Sequence, residues 1–267
     1  MNTVISQDGT KIAFDKTGNG PALIIVDGAL CYRSFGPAKA IAELLQSDFT
    51  VYYYDRRGRG DSGDTAPYTI EKEVEDIAAL IKEAGGSAFL FGQSSGAALS
   101  LEAANRLKGV NKLAVYEAPF IVDATAPPLP ADLLKKTNAL VQADRRSDTV
   151  KLFMKTVGTP FFAIFMMQLM PMWSKLKAVA HTIPYDFTLL NEFGSGKPLP
   201  KNRWGNIQVP TLVMDGAKSP VSMRNAMKSL AENLPLATYH TLDKQNHMVK
   251  AEALAPVLAN FFEEGSH

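Results

Sequence analysis

The feature that most constrains this chain is a tight turn between a short apolar run and an alanine-rich stretch, Gly92-Gln93-Ser94-Ser95-Gly96. The run Ala88–Phe91 predicts a buried strand, and residues 97–107 predict a helix. A serine flanked by glycines between strand and helix predicts a strained bend that pushes the Ser94 hydroxyl out above a sheet. The free N–H groups at the start of that helix favour a developing negative charge. The turn therefore predicts a nucleophilic serine.

Short apolar and β-branched runs recur along the chain and predict eight strands, listed here with their bounds: Thr3–Ser6, Lys11–Asp15, Ala22–Val26, Thr50–Tyr54, Ala88–Phe91, Lys112–Tyr116, Thr211–Met214 and Ala237–Thr241. Asp8-Gly9 between the first two is a hairpin signal. Most of the later runs are continuous rather than alternating, which suits a parallel sheet covered on both faces. Helical patterns lie between them, for example the apolar stripe that starts after Thr69. Such alternation predicts a doubly wound α/β domain.

The alternation stops between residues 121 and 205, where helical periods continue without clear strands. We interpret residues 121–205 as a helical cap inserted into a core formed by residues 1–120 and 206–264. The cap contains a Phe- and Met-rich cluster between Phe161 and Trp173. We expect most of these side chains to form the small core of the cap. An apolar surface over a catalytic mouth would favour an apolar substrate.

Composition excludes several function classes. A net charge of +1 without a dense Lys or Arg stripe argues against a nucleic-acid partner, and no apolar run is long enough to predict a membrane span. The single cysteine, Cys31, cannot form an internal disulfide, and we treat it as a small buried side chain. Neither a metal-ligand spacing nor a dinucleotide-binding glycine pattern is present, so we expect no metal and no cofactor. With no visible secretion signal, we expect a cytoplasmic protein whose partner is a small-molecule substrate. Its oligomeric state stays open.

A serine nucleophile needs a base, and imidazole has a suitable pKa near neutrality. Of the four histidines, His247 lies in a polar loop between the last predicted strand and the last predicted helix. His240 falls inside a strand, His181 inside the cap and His267 at the chain end. His247 also follows Ser94 in the chain order expected for such a site. We therefore predict that His247 is the base.

These features resemble the α/β-hydrolase family, here in a form that carries a cap. A further match is the turn that follows the fourth strand of that family, in this chain Asp55-Arg56-Arg57-Gly58-Arg59-Gly60-Asp61-Ser62. The resemblance covers nearly the whole chain outside the cap. It implies an α/β-hydrolase fold with a mostly parallel sheet, helices on both faces and a triad with an oxyanion hole. The residues of the turn are most often structural in the family.

The sequence departs from the family behind the third strand, where relatives usually carry His-Gly and this chain has Asp27-Gly28. The oxyanion hole uses backbone N–H groups, so this change need not abolish it. The resemblance assigns the two donors to the N–H groups of Ala29 and Ser95. We expect Asp27 to accept hydrogen bonds from N–H groups nearby.

The acid of the triad is the second departure. Many relatives carry it after the seventh strand, but Ser219 stands there in this chain and suits a helix cap before Pro220. Glu117, which ends the sixth strand, and Asp215, at the tip of the seventh, both keep the order nucleophile, acid, base. We favour Glu117 because a carboxylate at that strand end can point into the site. Asp215 remains the alternative acid.

The sequence therefore predicts a cofactor-free serine hydrolase that cleaves an ester, a thioester or a lactone of a small apolar molecule through an acyl-enzyme on Ser94. One alternative is hydrolysis of carbon–carbon bonds in diketone-like substrates, which uses a similar serine site. The other is a ligand-binding protein derived from a hydrolase, because family fold alone does not fix function. Ser219 and Asp27 motivate that second alternative.

Overall fold

The computed structural model describes residues 1–264, so Gly265, Ser266 and His267 lie outside the described residues. Within that range eight strands form one sheet in the order β1-β2-β4-β3-β5-β6-β7-β8. Their bounds are β1 Asn2–Ile5, β2 Lys11–Thr17, β3 Ala22–Val26, β4 Thr50–Tyr54, β5 Ala88–Gln93, β6 Val110–Tyr116, β7 Thr211–Gly216 and β8 Ala237–Leu242. All eight predicted strands are present, with ends within two residues of the prediction.

Strand directions follow the connections between the strands. β1 and β2 form an antiparallel hairpin, and β2 also pairs antiparallel with β4. From β4 across to β8 every neighbouring pair is parallel. Parallel strands bring their carboxyl ends to one edge of the sheet, where ligands of open α/β folds bind. The loops after β3, β5, β6 and β8 therefore meet at the same edge.

Helices cover both faces, as the fold class predicts. Their bounds are α1 Ala38–Leu45, α2 Ile70–Glu83, α3 Ser95–Arg106, α4 Leu133–Gln142, α5 Arg146–Thr156, α6 Phe161–Gln168, α7 Met172–Ala178, α8 Ile183–Leu190, α9 Val221–Asn233 and α10 Ala251–Glu263. The apolar faces of α2, α3 and α9 pack on one side of the sheet and those of α1 and α10 on the other. Thr69 caps α2 by accepting a hydrogen bond from the Lys72 N–H at 3.3 Å. The described helices are not long and apolar enough to cross a membrane.

Helices α4 to α8 occupy the region between β6 and β7, which contains no strand among the described residues. We call residues 121–205 the cap segment; its limits as a domain stay a prediction. Its helices share an apolar cluster that includes Val150, Ile164 and Trp173. Leu30, from the loop after β3, packs into the same cluster. The cap segment therefore lies against the carboxyl edge of the sheet.

Two local expectations are wrong. Five of the seven Phe and Met side chains between Phe161 and Trp173 are exposed instead of forming a core, namely Phe161, Phe162, Phe165, Met166 and Met170. Helix α6 has apolar side chains around its whole circumference, so packing one side leaves the others in water. Ser219 does not cap α9: Pro220 holds the cap position with an extended ψ of 147°, and the helix starts one residue later.

Candidate active site

Ser94 lies at the bend between β5 and α3. Its backbone has φ 55° and ψ −129°, an unusual conformation for a residue with a side chain. The Ser94 N–H donates to the Tyr116 carbonyl at 2.9 Å, which continues the ladder between β5 and β6. A Cβ on Gly96 would lie 2.6 Å from the carbonyl oxygen of Asp27, so only glycine lets α3 start this close to β3. The strained turn therefore holds the hydroxyl at the edge of the sheet.

Glu117 follows β6 directly, one position after the partner of Gln93 in β5. Its φ of 47° departs from the strand conformation. The N–H of Glu117 donates to the Met214 carbonyl at 3.1 Å, and its Oε1 accepts from the Gly216 N–H at 2.8 Å. The buried carboxylate is therefore held by β7, with Oε2 left for another donor.

His247 lies in the loop between β8 and α10, and two contacts fix that loop. The Tyr116 hydroxyl donates to the Asn246 carbonyl at 2.7 Å, and the Lys218 N–H donates to the Gln245 carbonyl at 2.8 Å. The ring then spans two side chains. Its Nδ1 is 2.8 Å from Glu117 Oε2, and its Nε2 is 3.2 Å from Ser94 Oγ. The structure thus brings Ser94, His247 and Glu117 into one hydrogen-bonded line.

Asp215 is placed differently: it is the next-to-last residue of β7, the strand beside β6. Its side chain is buried, and its Oδ2 accepts a hydrogen bond from the Tyr239 hydroxyl of β8. Arg224 Nε lies 3.7 Å from the same oxygen. Its carboxylate is therefore committed to β8 and α9, and the structure brings Glu117 rather than Asp215 to the imidazole.

The two N–H groups assigned to the oxyanion hole come from a helix start and from a loop, both beside Ser94. Ser95 is the first residue of α3, so its N–H has no acceptor within the helix. Ala29 belongs to the loop after β3. A Cβ on Gly28 would lie 2.9 Å from the Cβ of Ser94, so glycine lets this loop approach the nucleophile closely.

Asp27 and Cys31 belong to the same loop after β3 but do not join the triad. Asp27 is buried and accepts a hydrogen bond from Gln93 Nε2 at 2.8 Å, and burial raises its pKa to about 6. Burial likewise raises the pKa of the Cys31 thiol to about 12, so it stays protonated at neutral pH. Within residues 1–264, no group of three or more His, Cys, Asp or Glu side chains is arranged to hold a metal ion.

A buried ionic network behind the oxyanion loop is not evident from the sequence. Arg56 pairs with Glu73 of α2 at 2.7 Å and with Asp186 of α8 at 2.9 Å. Arg59 pairs with the other oxygen of Asp186 at 2.8 Å. The two arginines belong to the turn after β4 that carries the family resemblance, but no motif marks Asp186. Only its single acidic charge within an apolar stretch could have drawn attention.

Comparison with known proteins bears on the fold and on the family. A family model described as the alpha/beta hydrolase family matches residues 20–256. The chain belongs to the alpha/beta hydrolase family. This hydrolase is 48% identical to an alpha/beta hydrolase of solved structure from Sphaerobacter thermophilus, with a TM-score of 0.89 over 98% of this chain and 100% of that one.

More distant structures share the fold of this hydrolase. A thermophilic esterase from Thermogutta terrifontis is 19% identical, with a TM-score of 0.70 over 98% of this chain and 97% of that chain. An enol-lactonase from Burkholderia xenovorans is 20% identical, with a TM-score of 0.71 over 98% of this chain and 100% of its own. The predicted fold class and family resemblance are confirmed.

Proposed function

We propose that this hydrolase cleaves an ester, a thioester or a lactone of a small apolar molecule through an acyl-enzyme on Ser94. The observation that carries the proposal is the line from Glu117 Oε2 to His247 Nδ1 at 2.8 Å and from His247 Nε2 to Ser94 Oγ at 3.2 Å. A nucleophile, a base within hydrogen-bond reach and a group that orients the base are the parts that acyl transfer needs.

Each residue has one role in the proposed reaction. His247 Nε2 takes the proton of the Ser94 hydroxyl while Oγ attacks the acyl carbon, and His247 then passes that proton to the leaving oxygen or sulfur. Glu117 Oε2 accepts a hydrogen bond from the His247 Nδ1–H and stabilises the imidazolium that forms. The N–H groups of Ala29 and Ser95 bind the oxyanion. Water activated by His247 then hydrolyses the acyl-enzyme.

The substrate class rests on the surroundings of the loop that carries Ala29. Leu30, the next residue, is buried in the apolar cluster of the cap segment, and Tyr32 and Phe35 pack against that cluster. An apolar wall beside the oxyanion loop favours an acyl group without charge. The Thermogutta protein is an esterase and the Burkholderia protein an enol-lactonase, which is consistent with an oxygen ester or a lactone.

The first experiment is covalent labelling of the pure protein with a fluorophosphonate, followed by peptide mapping, with p-nitrophenyl butyrate hydrolysis measured in parallel. We expect the label on Ser94 and an initial burst of p-nitrophenol. Ser94→Ala should lose the label and at least about 10⁴-fold in kcat. Cys31→Ser is the control, since its thiol is protonated and outside the line of contacts, and it should keep the label. A folded wild-type protein that takes no label contradicts the proposal.

The matched pair of acid variants tests the role of Glu117 with the same substrate. Glu117→Gln removes the acceptor that fixes the imidazole tautomer, so kcat should fall about 10²- to 10⁴-fold. Asp215→Asn alters an equally buried carboxylate one strand away and should retain kcat within about threefold, as expected for a group outside the reacting line. The reverse ranking, with both variants folded by circular dichroism, would assign the acid to Asp215.

A further inference from the structure

One buried carboxylate of the cap segment reaches both sides of the proposed oxyanion hole. Asp186 of α8 is fully buried. Its Oδ1 accepts from the Ser95 hydroxyl at 2.7 Å and from Arg56 Nη1 at 2.9 Å, and its Oδ2 accepts from Arg59 Nη2 at 2.8 Å. Each of these three donors comes from the core, although Asp186 itself belongs to the cap segment.

The contact with Ser95 acts on the first oxyanion donor. The hydroxyl that Asp186 binds and the backbone N–H proposed to bind the oxyanion belong to the same residue, at the start of α3. Arg56 Nη1 also reaches the Ser95 hydroxyl at 3.2 Å. Two charged groups therefore hold the Ser95 side chain, and through it the first turn of the nucleophile helix.

The contact with Arg59 acts on the second donor. Arg59 Nη1 donates to the Gly28 carbonyl at 2.7 Å. That carbonyl belongs to the same peptide unit as the Ala29 N–H. In a planar trans peptide the C=O and N–H point in opposite directions, so fixing the oxygen also fixes the direction of the N–H. Asp186 thus orients the arginine that orients the Ala29 donor.

The charge state of the network supports a fixed geometry. Burial alone would raise the pKa of Asp186, but Arg59 and Arg56 lower it below its ordinary value, so the carboxylate is ionised at neutral pH. Glu73 pairs with Arg56 through two hydrogen bonds of 2.8 and 2.7 Å. Two arginines and two carboxylates therefore balance, and a buried pair of this kind holds its geometry because each charge needs its partner.

We propose that Asp186 is a positioning residue that sets both N–H donors of the oxyanion hole, so that docking of α8 on the core completes the site. This inference rests on the proposed function. It assigns to a cap residue an effect on the transition state rather than on substrate binding. Loss of Asp186 should therefore lower kcat and leave KM nearly unchanged.

The experiment compares Asp186→Asn with Asp76→Asn. Asp76 is the matched control because it is buried and pairs with Arg57 of the same turn at 2.7 Å, whereas Arg57 bonds to Asp8 and to the Lys72 carbonyl, away from the oxyanion loop. Urea titration followed by circular dichroism first gives the folded fraction of both variants, and their activities are compared at equal folded fraction. Then kcat and KM for p-nitrophenyl butyrate are measured, together with the inhibition constant of a trifluoromethyl ketone that forms an oxyanion on Ser94.

We expect Asp186→Asn to lose about 10- to 100-fold in kcat and to weaken the ketone by a similar factor, with KM within about threefold, since only the oxyanion contact is disturbed. Asp76→Asn should change kcat, KM and the inhibition constant by no more than about threefold, because Asp76 contacts neither the triad nor the oxyanion loop. Equal kcat and equal ketone affinity in the two variants would overturn the inference.

Two further arms keep the result decisive. If Asp186→Asn does not fold, Ser95→Ala removes one Asp186 contact and keeps the backbone N–H; it should weaken the ketone and lower kcat in parallel, and unchanged values overturn the inference. If the wild-type protein hydrolyses the ester and takes the label, but Asp186→Asn behaves like Asp76→Asn, the proposed function stands and only this inference is overturned. A wild-type protein without label at Ser94 removes both.

Discussion

Two helices of the cap segment, α8 and α6, are attached to the rest of the molecule in opposite ways. At α8, Asp186 is buried against two arginines of the core, and the Tyr185 hydroxyl donates to Asp64 at 2.7 Å. At α6, by contrast, Phe161 is 85% exposed and Phe162 is 71% exposed. Helix α6 packs mainly against its neighbours α5 and α7 within the cap segment.

This difference shows that the apolar composition of a cap helix does not determine how firmly that helix is held to the core. Helix α8 is held to the core because its buried charge needs partners in defined places. Helix α6 is more apolar, but of its eight residues only Ile164 is buried, so α6 gains little stability from its composition. We therefore expect local opening to begin at α6 and to reach α8 only on global unfolding.

The largest expected effect comes from removing the buried ion pairs between α8 and the core. Asp186→Ala leaves buried Arg59 without its carboxylate partner and leaves Arg56 with Glu73 alone, so the free energy of unfolding in urea should fall by about 3–5 kcal/mol. Glu43→Ala is the control: it removes the exposed pair with Lys39 and should cost at most about 1 kcal/mol. Similar losses for the two variants would mean that the ion pairs of α8 stabilise the protein no more than an exposed surface pair does.

A pair of variants within α6 tests how little this weakly packed helix gains from its exposed side chains. Ile164→Ala removes the buried side chain and should lower the free energy of unfolding by about 2–4 kcal/mol. Phe161→Ala removes a larger but exposed side chain and should change it by no more than about 0.5 kcal/mol. Chemical denaturation of both proteins measures the difference. A larger loss for Phe161→Ala would show that α6 is covered in solution.

The smallest expected effect is a pH dependence of stability at His181, which lies just before α8. Burial lowers the pKa of His181, with Asp64 opposing and Arg146 reinforcing that shift. A base with a lowered folded pKa takes its proton more readily when unfolded, so its contribution is complete above the ordinary value of 6.5 and is lost as pH falls below it. Between pH 7.5 and 5.5, wild type should lose more stability than His181→Gln in urea titrations. Parallel curves for the two proteins would exclude this contribution.

Much of the core could be read from contiguous residues. The strands were predictable because continuous apolar runs need cover on both faces, and the bend at Ser94 because glycines must flank it. The choice between Glu117 and Asp215 could not be made in the same way. Each follows a predicted apolar strand, and the two differ in which side chain reaches them, His247 in one case and Tyr239 in the other.

The sequence by itself determined the strands, the turn at Ser94 and the family, because those depend on steric and apolar constraints among neighbouring residues. Only the tertiary structure decided which carboxylate meets the imidazole, that Phe161 faces water, and that Asp186 pairs with Arg56 across 130 residues of chain. Such pairings depend on where separate elements dock. A local pattern records that a side chain is charged or apolar, whereas its partner is chosen by the packing of the whole chain.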